Sequence, residues 1–174
     1  VFHPEANLVE YLFAPAQINK EVEQKARNLA IEVMEKLELV GLLAVEMFLT
    51  KEGKVLVNEV APRTHNSGHQ TIEANITSQF EQHLRAILNL PLGETTQLIP
   101  ASMVNILGAD GFTGDAIYQG MEDVMSEPGT HIHLYGKKTT KPFRKMGHIT
   151  ITDTDIEKLR KQTLKIKNLL SVIA

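Results

Sequence analysis

Two glutamates lie in apolar segments that the sequence predicts to be neighbouring strands, residues 42–49 and residues 55–61. Glu52-Gly53 between them suits a two-residue hairpin turn, because glycine readily adopts positive φ. With that turn, Glu46 and Glu59 are cross-strand partners. Like charges directly opposite destabilise a sheet, and a divalent cation between them removes this cost. The pair therefore predicts a metal site, and carboxylate oxygens favour Mg²⁺. The alternative is another register that leaves one glutamate exposed.

A polar loop follows the hairpin, and residues 62–69 read PRTHNSGH. The Arg63 guanidinium can bind phosphate or carboxylate through two parallel hydrogen bonds. Backbone N–H groups at Ser67-Gly68 suit an anion. This composition predicts an anion or substrate site, with a purely structural loop as the alternative. No spacing of histidine and serine indicates a catalytic triad.

A basic loop lies at residues 137–145, KKTTKPFRK, and carries five cations in nine residues. Such a loop can hold a phosphate group, although a solvated charged loop is the simpler reading. Its single aromatic residue, Phe143, is too little for a platform that stacks bases.

Composition limits the function classes. The chain has 174 residues, a net charge of −3 and no cysteine. Disulfides, thiolate metal sites and cysteine nucleophiles are excluded, and no bulk positive charge favours nucleic acid. No apolar run approaches the ~20 residues of a membrane span, and no signal peptide is visible. The start at Val1, inside a segment typical of a sheet, is interpreted as the start of a fragment.

Periodicity predicts an α+β fold in two domains, residues 1–98 and residues 99–174, the second small, β-rich and ended by a helix. The strands that it favours are 7–13, the two hairpin strands, 102–107, 131–135 and 147–152. The expected helices are one from the Asn19 cap to about Leu39, one from the Ser78/Glu81 capping box to about Leu88, a short one at 118–125 and a last one capped by Thr154 with Glu157.

Several blocks resemble one family: NEVAPRTHNSGH, SQFEQHLRA, MVNILG, HLYGK and RKMGH. Together they resemble the N5-carboxyaminoimidazole ribonucleotide synthetases, which are ATP-grasp ligases, over nearly the whole chain. The resemblance implies that residues 1–98 are the C-terminal half of an ATP-grasp domain, a mainly antiparallel sheet with covering helices. Relative to the family, the N-terminal lobe and the glycine-rich phosphate loop are absent, so the chain alone is expected to be inactive.

The resemblance also implies the reaction, the carboxylation of 5-aminoimidazole ribonucleotide by bicarbonate and ATP, through carboxyphosphate, in purine biosynthesis. It implies ATP as a substrate, Mg²⁺ as cofactor, a cytoplasmic homodimer, and neither nucleic acid nor membrane as partner. By position, it implies a role for each of the following residues: Glu46 and Glu59 for the metal, Asn58 and Glu59 for ATP, Arg63, His65 and Asn66 for catalysis, and Ser67, Lys137 and Arg144 for substrate.

Two positions depart from the family pattern. Ala61 stands where the wider superfamily often has asparagine, and Phe143 stands where the family commonly has glycine. Because glycine reaches backbone conformations that phenylalanine avoids, Phe143 is expected to alter the basic loop. Two further hypotheses stay open: an ATP-grasp carboxylate–amine ligase with another acceptor, and a catalytically incomplete module that only folds or oligomerises.

Overall fold

The computed structural model describes residue 1 and residues 8–174. It divides into two units. We call residues 16–96 the hairpin unit, and residues 1–15 with 97–174 the sheet unit. The elements in chain order are β1 Tyr11–Ala14, α1 Lys20–Lys36, β2 Ala44–Leu49, β3 Val55–Ala61, α2 Thr71–Ala74, α3 Gln79–Ile87, β4 Ala101–Leu107, β5 Gly114–Asp115, β6 Ile117–Gln119, α4 Met121–Met125, β7 Thr130–Leu134, β8 Thr139–Thr140, β9 Lys145–Thr152, α5 Ile156–Leu169 and β10 Ser171–Ile173.

The sheet unit is built on a four-stranded antiparallel sheet in the order β1-β4-β9-β7. The apolar residues of one sheet face form a core with α4, α5 and β10: Val104, Ile106, Ile149, Ile151, Val124, Leu159, Ile166 and Val172. A buried hydrogen bond of 2.6 Å between the hydroxyls of Ser102 and Thr163 joins β4 to α5. None of the helices in the described part of the chain has both the length and the apolar character that crossing a bilayer requires.

The last helix begins one residue later than predicted. Asp155, not Thr154, is the N-cap, because its Oδ1 accepts hydrogen bonds from the backbone N–H groups of Glu157 (2.9 Å) and Lys158 (3.1 Å). Threonine and aspartate are both good caps. Pattern alone could not choose between these neighbours.

The predicted helix at 118–125 is only partly correct. Its first residues belong to β6, which pairs with β10, and the helix α4 begins after Gly120. Gly120 has a φ of 83°, and an added Cβ would clash with the carbonyl oxygen of Leu169. The sequence pattern missed β10, because Leu169 and Leu170 continue the apolar stripe of α5.

The first strand is shorter than predicted and starts later. β1 pairs with β4, with Tyr11 opposite Val104 and Ala14 opposite Ala101, and residues 2–7 lie outside the described residues. β1 therefore belongs to the sheet unit. The assignment of residues 1–98 to one family domain stays a prediction.

Two of the three α-helices in the hairpin unit, α1 and α3, have the predicted caps. Asn19 Oδ1 accepts from the N–H of Val22 at 2.8 Å, and Ser78 Oγ accepts from the N–H of Glu81 at 3.2 Å. α1 ends at Lys36, before the predicted Leu39, and has no buried residue. Its exposed face carries ion pairs at i,i+4 spacing, which add little stability each.

Candidate functional site

The hairpin brings the two glutamates opposite each other, but through a different turn from the predicted one. The strands end in the Leu49–Val55 pair, and Thr50 N–H donates to the carbonyl of Lys54 at 2.9 Å. The loop therefore has three residues, 51–53, with Gly53 at a φ of 77° as its last residue. The N–H of Gly53 also donates to the carbonyl of Thr50 at 3.0 Å, and a left-handed last residue is common in three-residue hairpin loops.

A β-bulge corrects the register before the glutamates. With the three-residue loop, a regular ladder would place Asn58 opposite Glu46. The ladder shifts by one residue between Glu46 and Met47, so that Met47 pairs with Val57 and Glu46 with Glu59. Asn58 is the extra residue. Since side chains alternate between sheet faces, this shift moves Glu59 from the face of Val57 to the face of Glu46.

A third side chain completes the cluster. Glu46, Glu59 and His65 each have a potential ligand atom, and these atoms all lie within 4.8 Å of one another. His65 Nε2 is 3.6 Å from Glu46 Oε1, and the side chains are 13% and 27% exposed. A cation could reach all three donors from solvent. We call these residues the carboxylate cluster.

The polar loop after β3 is held by Gln79, a residue to which sequence analysis gave no role. The Gln79 side chain accepts from the N–H of His65 at 2.9 Å and donates to the carbonyl of His65 at 2.8 Å. Its Nε2 also lies 2.8 Å from Nδ1 of His69, and the residue is buried. Gly68 packs against it, since an added Cβ would lie 2.7 Å from Gln79 Oε1. No local pattern marks a first-turn glutamine for this task.

The other predicted loop residues lie beside His65 in the chain. Asn66 and Ser67 are in a 3₁₀ turn, Asn66–Gly68, that His65 caps. Ser67 Oγ lies 2.8 Å from His65 Nδ1. The Arg63 side chain is exposed and donates to the carbonyl of Thr64 at 3.0 Å.

The predicted phosphate ligands lie in the sheet unit, on the basic loop. This loop is not wholly irregular, because Thr139–Thr140 forms β8 and pairs with β5. Lys137 Nζ donates to the carbonyl of Lys145. Arg144 Nη1 donates to the carbonyl and hydroxyl of Thr139 at 3.0 and 3.1 Å.

Phe143 keeps a backbone conformation that favours glycine. Its φ is 60°, and its N–H donates to the carbonyl of Gly108 at 2.9 Å. The left-handed conformation is costly for a bulky residue. Phe143 therefore adopts the left-handed backbone conformation that a glycine would readily adopt at this position, whereas the sequence predicted an altered loop.

Two domain families match the chain. Residues 3–80 match the ATP-grasp domain, and residues 101–162 match the phosphoribosylaminoimidazole carboxylase C-terminal domain. The fold and the hairpin with its carboxylates thus define part of an ATP-grasp protein. The combination of the two domains is more specific, and the chain belongs to the N5-carboxyaminoimidazole ribonucleotide synthase family.

Similarity to individual members is high. A Bacillus subtilis N5-carboxyaminoimidazole ribonucleotide synthase is 49% identical over 144 residues, which cover 83% of this chain and 36% of the relative. The crystal structure of the Thermotoga maritima synthetase superposes with a TM-score of 0.92 at 52% identity, over 94% of this chain and 46% of that one. The Aspergillus clavatus enzyme, solved with ADP and 5-aminoimidazole ribonucleotide, gives 0.84 at 34% identity, over 96% and 46%. The chain therefore spans less than half the length of these relatives.

Proposed function

We propose that the enzyme containing this chain carboxylates 5-aminoimidazole ribonucleotide with bicarbonate at the expense of ATP. The γ-phosphoryl group passes to a bicarbonate oxygen and ADP leaves, which gives carboxyphosphate. The amine nitrogen of the ribonucleotide then attacks the carboxyl carbon of carboxyphosphate and loses a proton. Phosphate is the leaving group, and the product is N5-carboxyaminoimidazole ribonucleotide. The observation that carries the proposal is the carboxylate cluster on a hairpin of ATP-grasp type.

The donor set of the cluster fits Mg²⁺. Glu46 and Glu59 supply hard carboxylate oxygens from one rigid hairpin, and Mg²⁺ in such sites usually takes one or two carboxylates together with phosphate oxygens and water. When bound there, the ion neutralises phosphate charge and aligns the transferred group. In this proposal the two glutamates hold the metal, and Glu59 with Asn58 contacts ATP.

His65 supports the carboxylate cluster through its hydrogen bonds. A neutral imidazole has one donor nitrogen and one acceptor nitrogen. Nδ1 is the acceptor, because the backbone N–H of Ser67 donates to it at 3.5 Å and the Ser67 hydroxyl lies 2.8 Å away. Nε2 therefore carries the proton in the neutral ring and faces the Glu46 carboxylate at 3.6 Å. In this form His65 orients Glu46 beside Glu59.

The loop residues serve the transferred phosphoryl group and bicarbonate. Phosphoryl transfer requires alignment and charge neutralisation more than covalent chemistry. The Arg63 guanidinium is exposed and offers up to five N–H donors, of which the Thr64 carbonyl uses one. We assign Arg63, His65 and Asn66 to the acceptor side of the reaction, and Ser67 to bicarbonate.

Lys137 and Arg144 hold the phosphate of the ribonucleotide. Both are cations fixed by backbone carbonyls of their own loop, which reduces the entropy lost when a phosphate binds. The structure of the Aspergillus clavatus relative with ADP and 5-aminoimidazole ribonucleotide supports this substrate class. We also propose a cytoplasmic homodimer for the whole enzyme.

The test is the substitution Glu59→Gln in the enzyme containing this chain. It removes a ligand charge and keeps the shape, so we expect bicarbonate-dependent ATP hydrolysis, stimulated by the ribonucleotide, to fall about 100-fold or more. Excess Mg²⁺ should partly restore activity.

Glu52→Gln on the same hairpin is the matched control. Glu52 is exposed, and the Thr50 hydroxyl lowers its pKa, so it is a carboxylate at neutral pH. Its substitution should leave activity unchanged. Full activity of Glu59→Gln, or an equal loss in both variants, contradicts the metal assignment. An active enzyme that uses another amine equally well contradicts the substrate assignment.

A further inference from the structure

Three aromatic rings lie together beside the basic loop, where β7 and β9 pair. His133 and His148 are cross-strand partners, and their rings stack with centroids 4.5 Å apart and an angle of 11° between planes. Tyr135 follows β7, and its hydroxyl lies 3.0 Å from His148 Nδ1. His148 is only 3% exposed. The buried histidine therefore anchors the outer tyrosine.

Lys137 lies two residues beyond Tyr135 and folds back over its ring. The ammonium nitrogen is 5.5 Å from the ring centroid, within the distance of about 6 Å at which a cation–π attraction acts. The same ammonium donates to the carbonyl of Lys145, the first residue of β9. The Lys137 ammonium is thus held between the Tyr135 ring, which follows the end of β7, and the Lys145 carbonyl at the start of β9.

The Tyr135 ring fixes the position of Lys137 and contributes little to the packing of the apolar core. Tyr135 is 38% exposed and lies outside the described set of partly buried side chains that pack on the apolar core, which includes Tyr11 and Tyr118. A free lysine side chain samples many rotamers, and fixing it on binding costs affinity. An ammonium has three N–H donors, so the Lys145 carbonyl does not use its full capacity.

We propose that Tyr135, anchored by His148, is a positioning residue that holds the Lys137 ammonium ready for the phosphate of the ribonucleotide substrate. The inference rests on the role given to Lys137 under the proposed function. Tyr135 acts through Lys137 and touches neither ATP nor the reacting atoms.

Steady-state kinetics of the enzyme containing this chain test the proposal. Tyr135→Leu should raise KM for 5-aminoimidazole ribonucleotide three- to tenfold and leave kcat and KM for ATP unchanged. Tyr135→Phe keeps the ring and loses its anchor, so it should raise the same KM only about twofold. In a Lys137→Ala background, neither substitution should have any further effect on KM.

Tyr11→Leu is the matched control. Tyr11 has a lysine over its ring as well, with Lys167 Nζ at 6.0 Å from the centroid, but Tyr11 belongs to β1 and Lys167 to α5, and neither has a role in the proposed phosphate site. Its loss should lower the melting temperature without changing KM for the ribonucleotide. If Tyr135→Leu lowers the melting temperature too far for assay, the Phe variant and its double mutant carry the test.

The outcomes separate the two proposals. An unchanged KM in Lys137→Ala overturns the phosphate role of Lys137, and the inference with it. A raised KM in Lys137→Ala with a normal KM in Tyr135→Leu overturns the inference alone. Equal effects of Tyr135→Phe and Tyr135→Leu, or additive effects with Lys137→Ala, also overturn it.

Discussion

The two units reach their structures by different physical means. Among the described residues, all the buried apolar side chains except Ala61 and Ala74 belong to the sheet unit. The hairpin unit instead leaves large apolar side chains exposed, including Phe48 at 55% and Leu56 at 49%. Yet the carboxylate cluster lies in the hairpin unit. Its geometry depends on backbone register and a buried glutamine more than on close packing.

This difference separates stability from site geometry. Burial of apolar surface contributes roughly 25 cal/mol per Å², so the sheet unit has a source of stability that the hairpin unit largely lacks in this chain. Hydrogen bonds contribute less net stability but fix direction. Substitutions in the sheet unit should therefore mainly lower the free energy of unfolding, whereas substitutions in the hairpin unit should mainly disturb the geometry of the site.

The largest expected effect is on unfolding of the sheet unit. Leu159 is 1% exposed in α5, and Leu159→Ala should lower the free energy of unfolding by 2–5 kcal/mol, about the usual cost of such a core cavity. Leu56→Ala makes the same change on the exposed face of β3 and should cost less than about 1 kcal/mol. Urea unfolding followed by circular dichroism measures both. Similar losses would show that the hairpin unit has its own tight packing.

A smaller effect is expected from Gln79→Ala, which removes the brace of the polar loop. Leaving the partly buried N–H and carbonyl of His65 without their partner should cost about 1–3 kcal/mol. Because His65 then loses its fixed position, activity of the whole enzyme should fall about 10-fold or more. Thermal unfolding and the bicarbonate-dependent ATPase assay give the two numbers.

Gln82→Ala provides the control on the same helix. Its side chain braces Gly93 with the same pair of bonds, accepting from the N–H at 2.9 Å and donating to the carbonyl at 3.2 Å. We expect a similar loss of stability and no loss of activity. Equal loss of activity in both variants would mean that general loosening of the hairpin unit, and not the His65 position, limits catalysis.

The smallest effect is a pH-dependent one at the start of α5. Hydrogen bonds from backbone N–H groups, chiefly that of Lys158, lower the pKa of Asp155 below its ordinary value. A lowered pKa means that the carboxylate stabilises the fold above the unfolded pKa, and that this contribution disappears as the pH falls through the folded value. Asp155→Ala should therefore melt lower than wild type at pH 7, with the gap closing at acidic pH.

Asp155→Asn distinguishes the charge from the cap in that experiment. Asparagine is also a good N-cap and does not titrate, so its melting temperature should lie between those of the other two proteins at pH 7. A gap between wild type and Asp155→Ala that stays constant from neutral to acidic pH would contradict the role of the carboxylate.

Sequence patterns predicted the fold class and the caps of α1 and α3, because those signals are local, but placed the cap of α5 one residue too early. Asn19 and Ser78 cap helices through bonds that span three residues. Short strands gave no such signal: β10 has three residues and depends on its partner β6. The brace by Gln79 also escaped prediction, because it joins residues fourteen apart in the chain.

The facing glutamates were predicted correctly through two errors that cancel. The loop has one residue more than expected, and the bulge at Asn58 takes up one residue on the same strand. Gly53 marked a turn in either case, and nothing local indicated the bulge. Register is a property of two strands together, so a single strand's pattern left it open.

Because of the bulge, β3 has one more residue than the pairing with β2 uses. Two residues of β3, Asn58 and Glu59, therefore lie opposite the single residue Glu46 of β2. Without Asn58, a regular hairpin would still place the two carboxylates opposite each other. Asn58 is therefore equivalent to a one-residue insertion in β3, which adds a polar group beside the carboxylate pair without lengthening the loop.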